Sequence, residues 1–151
     1  MSDLEIRPAT EQDVPAIVAM LADDPLGATR EDPAELGVYL EAFGRIDGDP
    51  HQHLIFATVD GRPAGTLQLT IVQGLSRRGM SRAVIEAVRI HRDLRGQGLG
   101  STLIEWAIER SRELGAGIVQ LTSDSSRTGA HRFYENLGFT RSHVGFKMAL
   151  G

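Results

Sequence analysis

Two features of the sequence combine residue types and spacing that suit chemistry. The first is Arg95-Gly96-Gln97-Gly98-Leu99-Gly100, with three glycines at alternate positions between a strand-like apolar run and a helix-like one. Glycine at a strand-to-helix turn lets a ligand reach the backbone, and a helix N-terminus favours anions. The loop therefore predicts a bound phosphate, with Arg92 and Arg95 close by. A Walker A loop needs Gly-Lys-Ser/Thr, whereas Gly100 runs straight into Ser101 and Thr102. A dinucleotide fingerprint needs G-x-G-x-x-G early in a βαβ unit and an acidic residue ending the next strand. Here the pattern is G-x-G-x-G, late in the chain, and the next strand ends in Thr122. The second feature is Glu86, inside the otherwise apolar run RAVIEAVRI (82–90). A charge there is costly without a purpose, and burial raises a carboxyl pKa toward that of a base working near neutrality. The structural alternative is an ion pair with Arg82 or Arg89.

The elements that must position these residues follow from periodicity. LEIRP (4–8) reads as an opening strand. Thr10 with Asp13 resembles a capping box, and Val14, Ile17, Val18 and Leu21 then fall on one helical face. Asp32, Pro33 and Glu35 predict a second helix start, with Leu36, Tyr39, Leu40 and Phe43 as its buried stripe. HLIFATV (53–59), the Asp60-Gly61 turn and GTLQLTIV (65–72) predict a hairpin. Residues 73–81 read as a loop and 82–90 as a central strand. A long helix carries Leu99, Leu103, Trp106, Ala107 and Leu114 and closes at Gly115. GIVQLT (117–122) predicts another buried strand, AHRFYENLGF (130–139) a short helix, and the alternation of Val144, Phe146, Met148 and Leu150 a last strand. The order β-α-α-β-β-β-α-β-α-β predicts the α/β (α+β) class, with a mixed, mostly antiparallel central sheet and helices on both faces.

Bulk properties narrow the function. The 151 residues fit one domain, 1–151, with 41% hydrophobic and 24% charged residues. The net charge of −4 argues against a nucleic-acid partner. There are no cysteines, which removes disulfides, thiolate metal sites and a cysteine nucleophile. His51, His53, His91 and His131 read as solvated or turn residues, so no metal is expected. The opening MSDLEIRPAT lacks the features of a secretory signal, and no run approaches the ~18 apolar residues of a membrane span. A cytoplasmic protein without a membrane partner is the expectation.

The two glycine-bearing segments together resemble a known family. VRIHRDLRGQGLGSTLIEWA is similar to the acetyl-coenzyme A motif of the GCN5-related N-acetyltransferases, whose Arg/Gln-x-x-Gly-x-Gly/Ala is met by Arg95, Gly98 and Gly100. AHRFYENLGF is similar to the family's second motif, met by Ala130, Phe133, Tyr134, Gly138 and Phe139. The resemblance implies acetyl-CoA as acetyl donor, with no metal, and direct transfer to a primary amine. The acceptor is expected to be a small molecule; a peptide acceptor and a non-catalytic regulatory domain are the alternatives. The backbone of Val88, Arg89 and Ile90 would pair with the pantetheine arm, and the amides of residues 95–100 would hold the pyrophosphate. Tyr134 would protonate the leaving thiolate, or else fill core space, and Glu86 would take the amine proton. Where the family often has a coenzyme-contacting asparagine this chain has Arg127, which either reaches a phosphate or faces solvent. The acceptor side offers Asp23, Asp24, Arg30 and Glu31 near the first helix. Arg77, Arg78 and Arg82 in and after the 73–81 loop suit a phosphate or carboxylate on the acceptor. That loop would equally serve as a dimer contact, and a homodimer is compatible with the family.

Overall fold

The computed structural model describes residues 3–151. Strand β1 (Leu4–Pro8) leads through a 3-10 turn (Glu11–Asp13) into α1 (Val14–Ala22), then α2 (Gly27–Arg30) and α3 (Leu36–Asp47). β2 (Gln52–Val59), β3 (Arg62–Gln73), the single turn α4 (Ser76–Gly79) and β4 (Ser81–Ile90) follow. A second 3-10 turn (Arg92–Leu94) opens onto α5 (Leu99–Glu113), β5 (Ile118–Leu121) and α6 (Thr128–Asn136). The strands form one mixed sheet in the order β1-β2-β3-β4-β5. The first four are antiparallel neighbours, and β5 enters after the kind of helical crossover that a parallel strand requires. The chain forms two compact units, one running to Gln120 and one from Leu121 onward.

In the first unit, strand alternation builds a core on each face of the sheet. Leu67, Leu69 and Ile85 share one face and are buried together with Leu103, Ile104 and Ala107 of α5. A Cβ placed on Gly65 would stand 3.4 Å from Leu103 Cδ2, so α5 lies over this face. On the opposite face Phe56 packs with Ala9, Ile17 and Met20, and Leu54 and Phe43 close against that cluster. Each fully buried large aliphatic side chain contributes about 1.5–3 kcal/mol. Of the expected stripe of α5, Leu103 and Ala107 are buried and Leu99, Trp106 and Leu114 half-buried, with Ile104 and Ser111 completing the buried face, and Gly115 follows the helix at φ +86°.

The entry to α1 is held by a charge. Asp13 accepts from Arg7 Nη1 at 2.7 Å and Nη2 at 3.1 Å, and from the Thr10 N–H at 2.7 Å. The last bond is the reciprocal half of the capping box read from Thr10 and Asp13. The Arg7 guanidinium holds the Asp13 carboxyl below the usual carboxylate range.

Several local expectations are corrected. The second helix starts at Leu36, because residues 32–35 fold into a turn in which Glu35 N–H reaches Asp32 O at 3.0 Å. Its apolar stripe is half-buried. The expected 73–81 connection is kept, with a single turn at 76–79 in which Arg77 has φ 54° and Arg78 φ 60°. His53 is in the expected strand but is not solvated: its Nε2 is buried in β2, and desolvation, with Arg110 and His51, pushes its pKa down. β5 is half-exposed rather than buried, with Ile118 37% exposed.

In the second unit, α6 is followed by a turn at Gly138 (φ +102°), and Phe139 N–H bonds Tyr134 O at 3.1 Å. The Tyr134 ring stands edge-on to Phe133 and Phe139, with centroids 5.1 and 5.9 Å away. The expected last strand does not form. Residues 139–151 carry no regular structure, and Val144, Phe146, Met148 and Leu150 are exposed. Alternation supplies a strand with a face to bury, but a strand also needs a neighbour for its backbone.

Because the folded-state pKa of Asp13 lies below the unfolded value of about 3.9, its stabilisation is present above that pH and is lost as pH falls through the folded value. Asp13→Asn is expected to lose about 1–3 kcal/mol at pH 7 and to show a shallower acid loss than wild type, read by urea unfolding at a series of pH values.

Candidate active site

The site grows from an irregularity in β4. Gln68 pairs with Glu86 and Thr66 with Arg89, so Ala87 and Val88 together face Leu67 alone. This is a β-bulge, and Ala87 takes φ +53°, a left-handed conformation costing a non-glycine residue roughly 1–2 kcal/mol. The extra residue brings Glu86 and Arg89 onto the same sheet face, the one covered elsewhere by the Phe56 cluster. Glu86 is exposed there, contrary to the burial expected of it, because its strand neighbour on this face is the polar Gln68 rather than an apolar residue. Among the described residues no ion pair joins Glu86 to Arg82 or Arg89; Arg89 Nε stands instead 3.0 Å from Asp24 Oδ2.

Among the described residues no strand pairs with the same stretch of β4 on its β5 side. Gly117 N–H bonds Ser81 O at 2.9 Å, so the four residues of β5 end about level with Ile85. Residues 86–90 of β4 run on past them. His91 N–H bonds Ala64 O at 2.8 Å, which turns the backbone groups of Val88 and Ile90 away from β3 by the alternation of antiparallel pairing. Side chains cover both carbonyls: Arg89 Nη1 donates to Val88 O at 2.9 Å and Arg95 Nε to Ile90 O at 3.2 Å.

The glycine loop follows directly. Gly96 (φ +78°) and Gly98 (φ +82°) occupy left-handed backbone, and Gly98 is the N-cap of α5. Thr102 N–H closes onto Gly98 O at 3.2 Å, so the amides of Leu99, Gly100 and Ser101 are the helix's unsatisfied donors. A Cβ on Gly96 or Gly98 would meet nothing within 4 Å. Free amides at a helix start suit a diphosphate, and an open strand edge suits an arm that carries amide groups.

The α1–α2 connection is tied to this region by charge. Asp23 Oδ2 lies 3.2 Å from Arg92 Nε and 3.6 Å from Arg95 Nη2, and Arg95 Nη2 also donates to Asp23 O at 3.1 Å. Asp24 Oδ1 accepts the Gly27 N–H at 2.5 Å. A Cβ on Gly27 would fall 1.9 Å from Leu21 O, so the turn closes only with glycine. Asp23 and Asp24, read from sequence as acceptor-side groups, are engaged in holding the connection onto β4 and the loop.

The remaining expected residues are dispersed. Arg82 sits on the Glu86 face, opposite Val72, with its Nε buried and without a hydrogen-bond partner among the described residues. Arg77 and Arg78 lie beyond Ser81, at least five residues from Glu86, or about 17 Å along the strand. Arg30 is exposed at the end of α2. Tyr134 and Arg127 belong to the second unit, where the Arg127 carbonyl accepts Ala130 N–H at 3.1 Å as α6 begins. The sequence reading missed Gln52, which accepts from Gln68 Nε2 and Thr70 Oγ1, both at 2.9 Å. The polar alternation of Gln68 and Thr70 was its only trace. Among the described residues no three His, Cys, Asp or Glu side chains cluster to hold a metal, and no helix is long and apolar enough to cross a membrane.

The sequence profile of the Acetyltransferase (GNAT) family matches residues 15–139. The chain belongs to this family. A Salmonella typhimurium aminoalkylphosphonate N-acetyltransferase is 29% identical over 97% of this chain and 91% of its own length. A crystal structure named as a transcriptional regulator from Bacillus halodurans superposes with a TM-score of 0.94 at 46% identity, covering 98% of this chain and 100% of that one. An aminoglycoside N-acetyltransferase crystallised with CoA shares the fold at a TM-score of 0.81, with 16% identity and coverage of 99% and 96%. The α/β fold with helices on both faces of a mixed sheet and the acyltransferase assignment are thereby established for this GNAT member.

Gly98→Val forces a branched side chain into left-handed backbone at the mouth of the loop. It is expected to lower stability by about 1–2 kcal/mol in denaturant unfolding and to weaken coenzyme A binding at least tenfold by calorimetry, while Gly98→Ala weakens it less.

Proposed function

We propose that this GNAT enzyme moves an acetyl group from acetyl-CoA directly to the primary amine of a small anionic molecule, with both units acting as one transferase domain. The family match supports the single domain because it runs from residue 15 to 139, through both units. The observation that carries the donor assignment is the open edge of β4 at Val88 and Ile90, continuous with the free amides of α5. An amide-bearing pantetheine arm would replace the guanidinium groups now on the two carbonyls, and the pyrophosphate would lie on residues 95–100. Arg95, once off Ile90 O, would meet a phosphate. Arg127 is a second basic group for the coenzyme.

Transfer needs a neutral amine and a protonated leaving group. Glu86 is exposed beside the open edge and takes the amine proton, directly or through water. The amine lone pair attacks the thioester carbonyl, the C–S bond breaks as Tyr134 gives its proton to the thiolate, and the proton then shed by the acylated nitrogen restores the Tyr134 hydroxyl. With no cysteine in the chain, a cysteine acyl-enzyme has no nucleophile.

On the acceptor side, the relative acting on aminoalkylphosphonates supports an amine joined to an anionic group. Arg82, on the Glu86 face with an unpartnered buried Nε, is the cation for that group. Arg30 borders the acceptor from α2. Arg77 and Arg78 lie too far along β4 for the same contact and would act only as an outer attracting charge. A regulatory reading is favoured by one observation, the name of the 46% identical Bacillus halodurans protein. Measuring thiol release over a panel of amines separates the two. Transfer to aminoalkylphosphonates or similar small anionic amines supports catalysis. Acetyl-CoA binding without transfer to any amine supports regulation.

Tyr134→Phe is expected to lower kcat by roughly 100-fold or more with acetyl-CoA affinity within a factor of about three; an unchanged rate removes Tyr134 from the mechanism. Arg82→Ala is expected to raise KM for an anionic amine about tenfold or more and to leave KM for a neutral amine unchanged, measured by the same thiol-release assay.

A further inference from the structure

β3 lies in the middle of the sheet, between β2 and β4, and its two faces differ. The face that meets α5 carries Leu67, Leu69 and Ile71, whereas the other carries Thr66, Gln68, Thr70 and Val72. The Thr66 hydroxyl is satisfied by Ile55 O at 2.8 Å. Gln68 is half-buried, where an amide costs free energy unless its hydrogen bonds are made. Only part of its capacity is used. Gln68 Nε2 donates to Gln52 Oε1, and Thr70 Oγ1 donates to the same oxygen, both at 2.9 Å. Among the described residues Gln68 Oε1 accepts no hydrogen bond. Gln68 stands between Leu54 of β2 and Glu86 of β4. Tying its Nε2 toward β2 turns the amide oxygen to the β4 side. We propose that Gln68 Oε1 holds the acceptor nitrogen against Glu86, and that Gln52 and Thr70 are positioning residues that fix the amide for this task.

Directly opposed residues in an antiparallel pair have Cβ atoms about 4.5–5.5 Å apart, so a nitrogen lying over Gln68 and Glu86 is within reach of both. An ammonium offers one N–H to the Glu86 carboxylate and another to Gln68 Oε1. Once Glu86 has taken its proton, the nitrogen keeps two N–H bonds and gains a lone pair. Holding one N–H on Gln68 fixes the rotation about the C–N bond and so gives the lone pair one direction. The bulge follows directly after Glu86, so this pair is the last regular one before Val88, where the pantetheine arm is proposed to lie. On the other side of Gln68, Leu54 packs with Phe43 against the Phe56 cluster and suits the carbon next to the nitrogen. The same contact selects primary amines. A secondary amine has carbon in place of one N–H, and a site that hydrogen-bonds an N–H rejects the analogue lacking it. This role of Gln68 rests on Glu86 as the base of the proposed transfer and adds to it which kind of nitrogen is accepted.

Initial rates of the full chain with aminoethylphosphonate and with its N-methyl derivative provide the test. Gln68→Met keeps an unbranched side chain of similar length without the amide. It is expected to raise KM for the primary amine about tenfold with kcat within about threefold, and to narrow the kcat/KM preference for the primary over the N-methyl amine by about tenfold. Because a change in the middle of the sheet can misfold, Gln52 gives a second reading, with folding checked by far-UV circular dichroism. Gln52→Leu frees the Gln68 amide and is expected to reproduce both effects. Gln52→Glu presents acceptor oxygens and no donor, so Gln68 and Thr70 still donate to it, and KM is expected to stay within about threefold of wild type. Unchanged KM and preference in Gln68→Met overturn the role of Gln68, as does a folded Gln52→Glu chain that behaves like Gln52→Leu. Glu86→Gln separates this role from the transfer itself. A slowed Glu86→Gln beside an unaffected Gln68→Met removes Gln68 alone. A Glu86→Gln chain of wild-type rate, or a wild-type chain that acetylates no primary amine, removes the base and Gln68 together.

Discussion

The structure turns on one constraint: β4 outruns its neighbour. Backbone carbonyls away from water require partners, and among the described residues no strand supplies them on the β5 side of β4 beyond Ile85. In this chain Arg89 and Arg95 cover the Val88 and Ile90 carbonyls with guanidinium groups, at 2.9 and 3.2 Å. Those arginines are in turn anchored by Asp24 and Asp23 on the α1–α2 connection. The end of β4 is thus linked by ion pairs to the α1–α2 connection.

The bulge at Ala87 belongs to the same arrangement. Without the extra residue, strand alternation would put Glu86 and Arg89 on opposite faces. With it, both serve the face where the Gln52–Gln68–Thr70 hydrogen bonds form a polar strip. The left-handed φ of Ala87 is the local cost, and the β3–β4 ladder on either side maintains it. Glycine at Gly96, Gly98 and Gly27 removes comparable strain or collision at the other sharp turns, so the site rests on three backbone positions chosen for conformation and one that tolerates it.

Much of this was legible in the chain. Glycines at alternate positions before an amphipathic helix predict an anion-binding helix start, and both Gly96 and Gly98 indeed take left-handed backbone. The α5 stripe, the hairpin at Asp60-Gly61 and the Thr10–Asp13 cap are local patterns and appear where periodicity puts them. Glu86 was harder. Its place in an apolar run suggested burial, but neighbours in sequence do not reveal that Gln68 stands opposite it. The tail of alternating apolar residues shows the same gap: its period predicts a strand, while the pairing that makes one lies outside the segment.

The sequence by itself determined the glycine turns, the α5 helix and the family, because glycine torsions, helical period and motif spacing are properties of contiguous residues. Only the tertiary structure decided which groups share a face and which lie apart. It moved Arg77 and Arg78 down the strand from Glu86, brought Asp23 and Asp24 to the arginines of β4 and its loop, and left the end of β4 open. Those outcomes depend on register, on one extra residue in a strand, and on where a neighbouring strand stops. Register is set by pairing between distant segments, so a one-residue shift reverses every side chain while the local pattern stays the same.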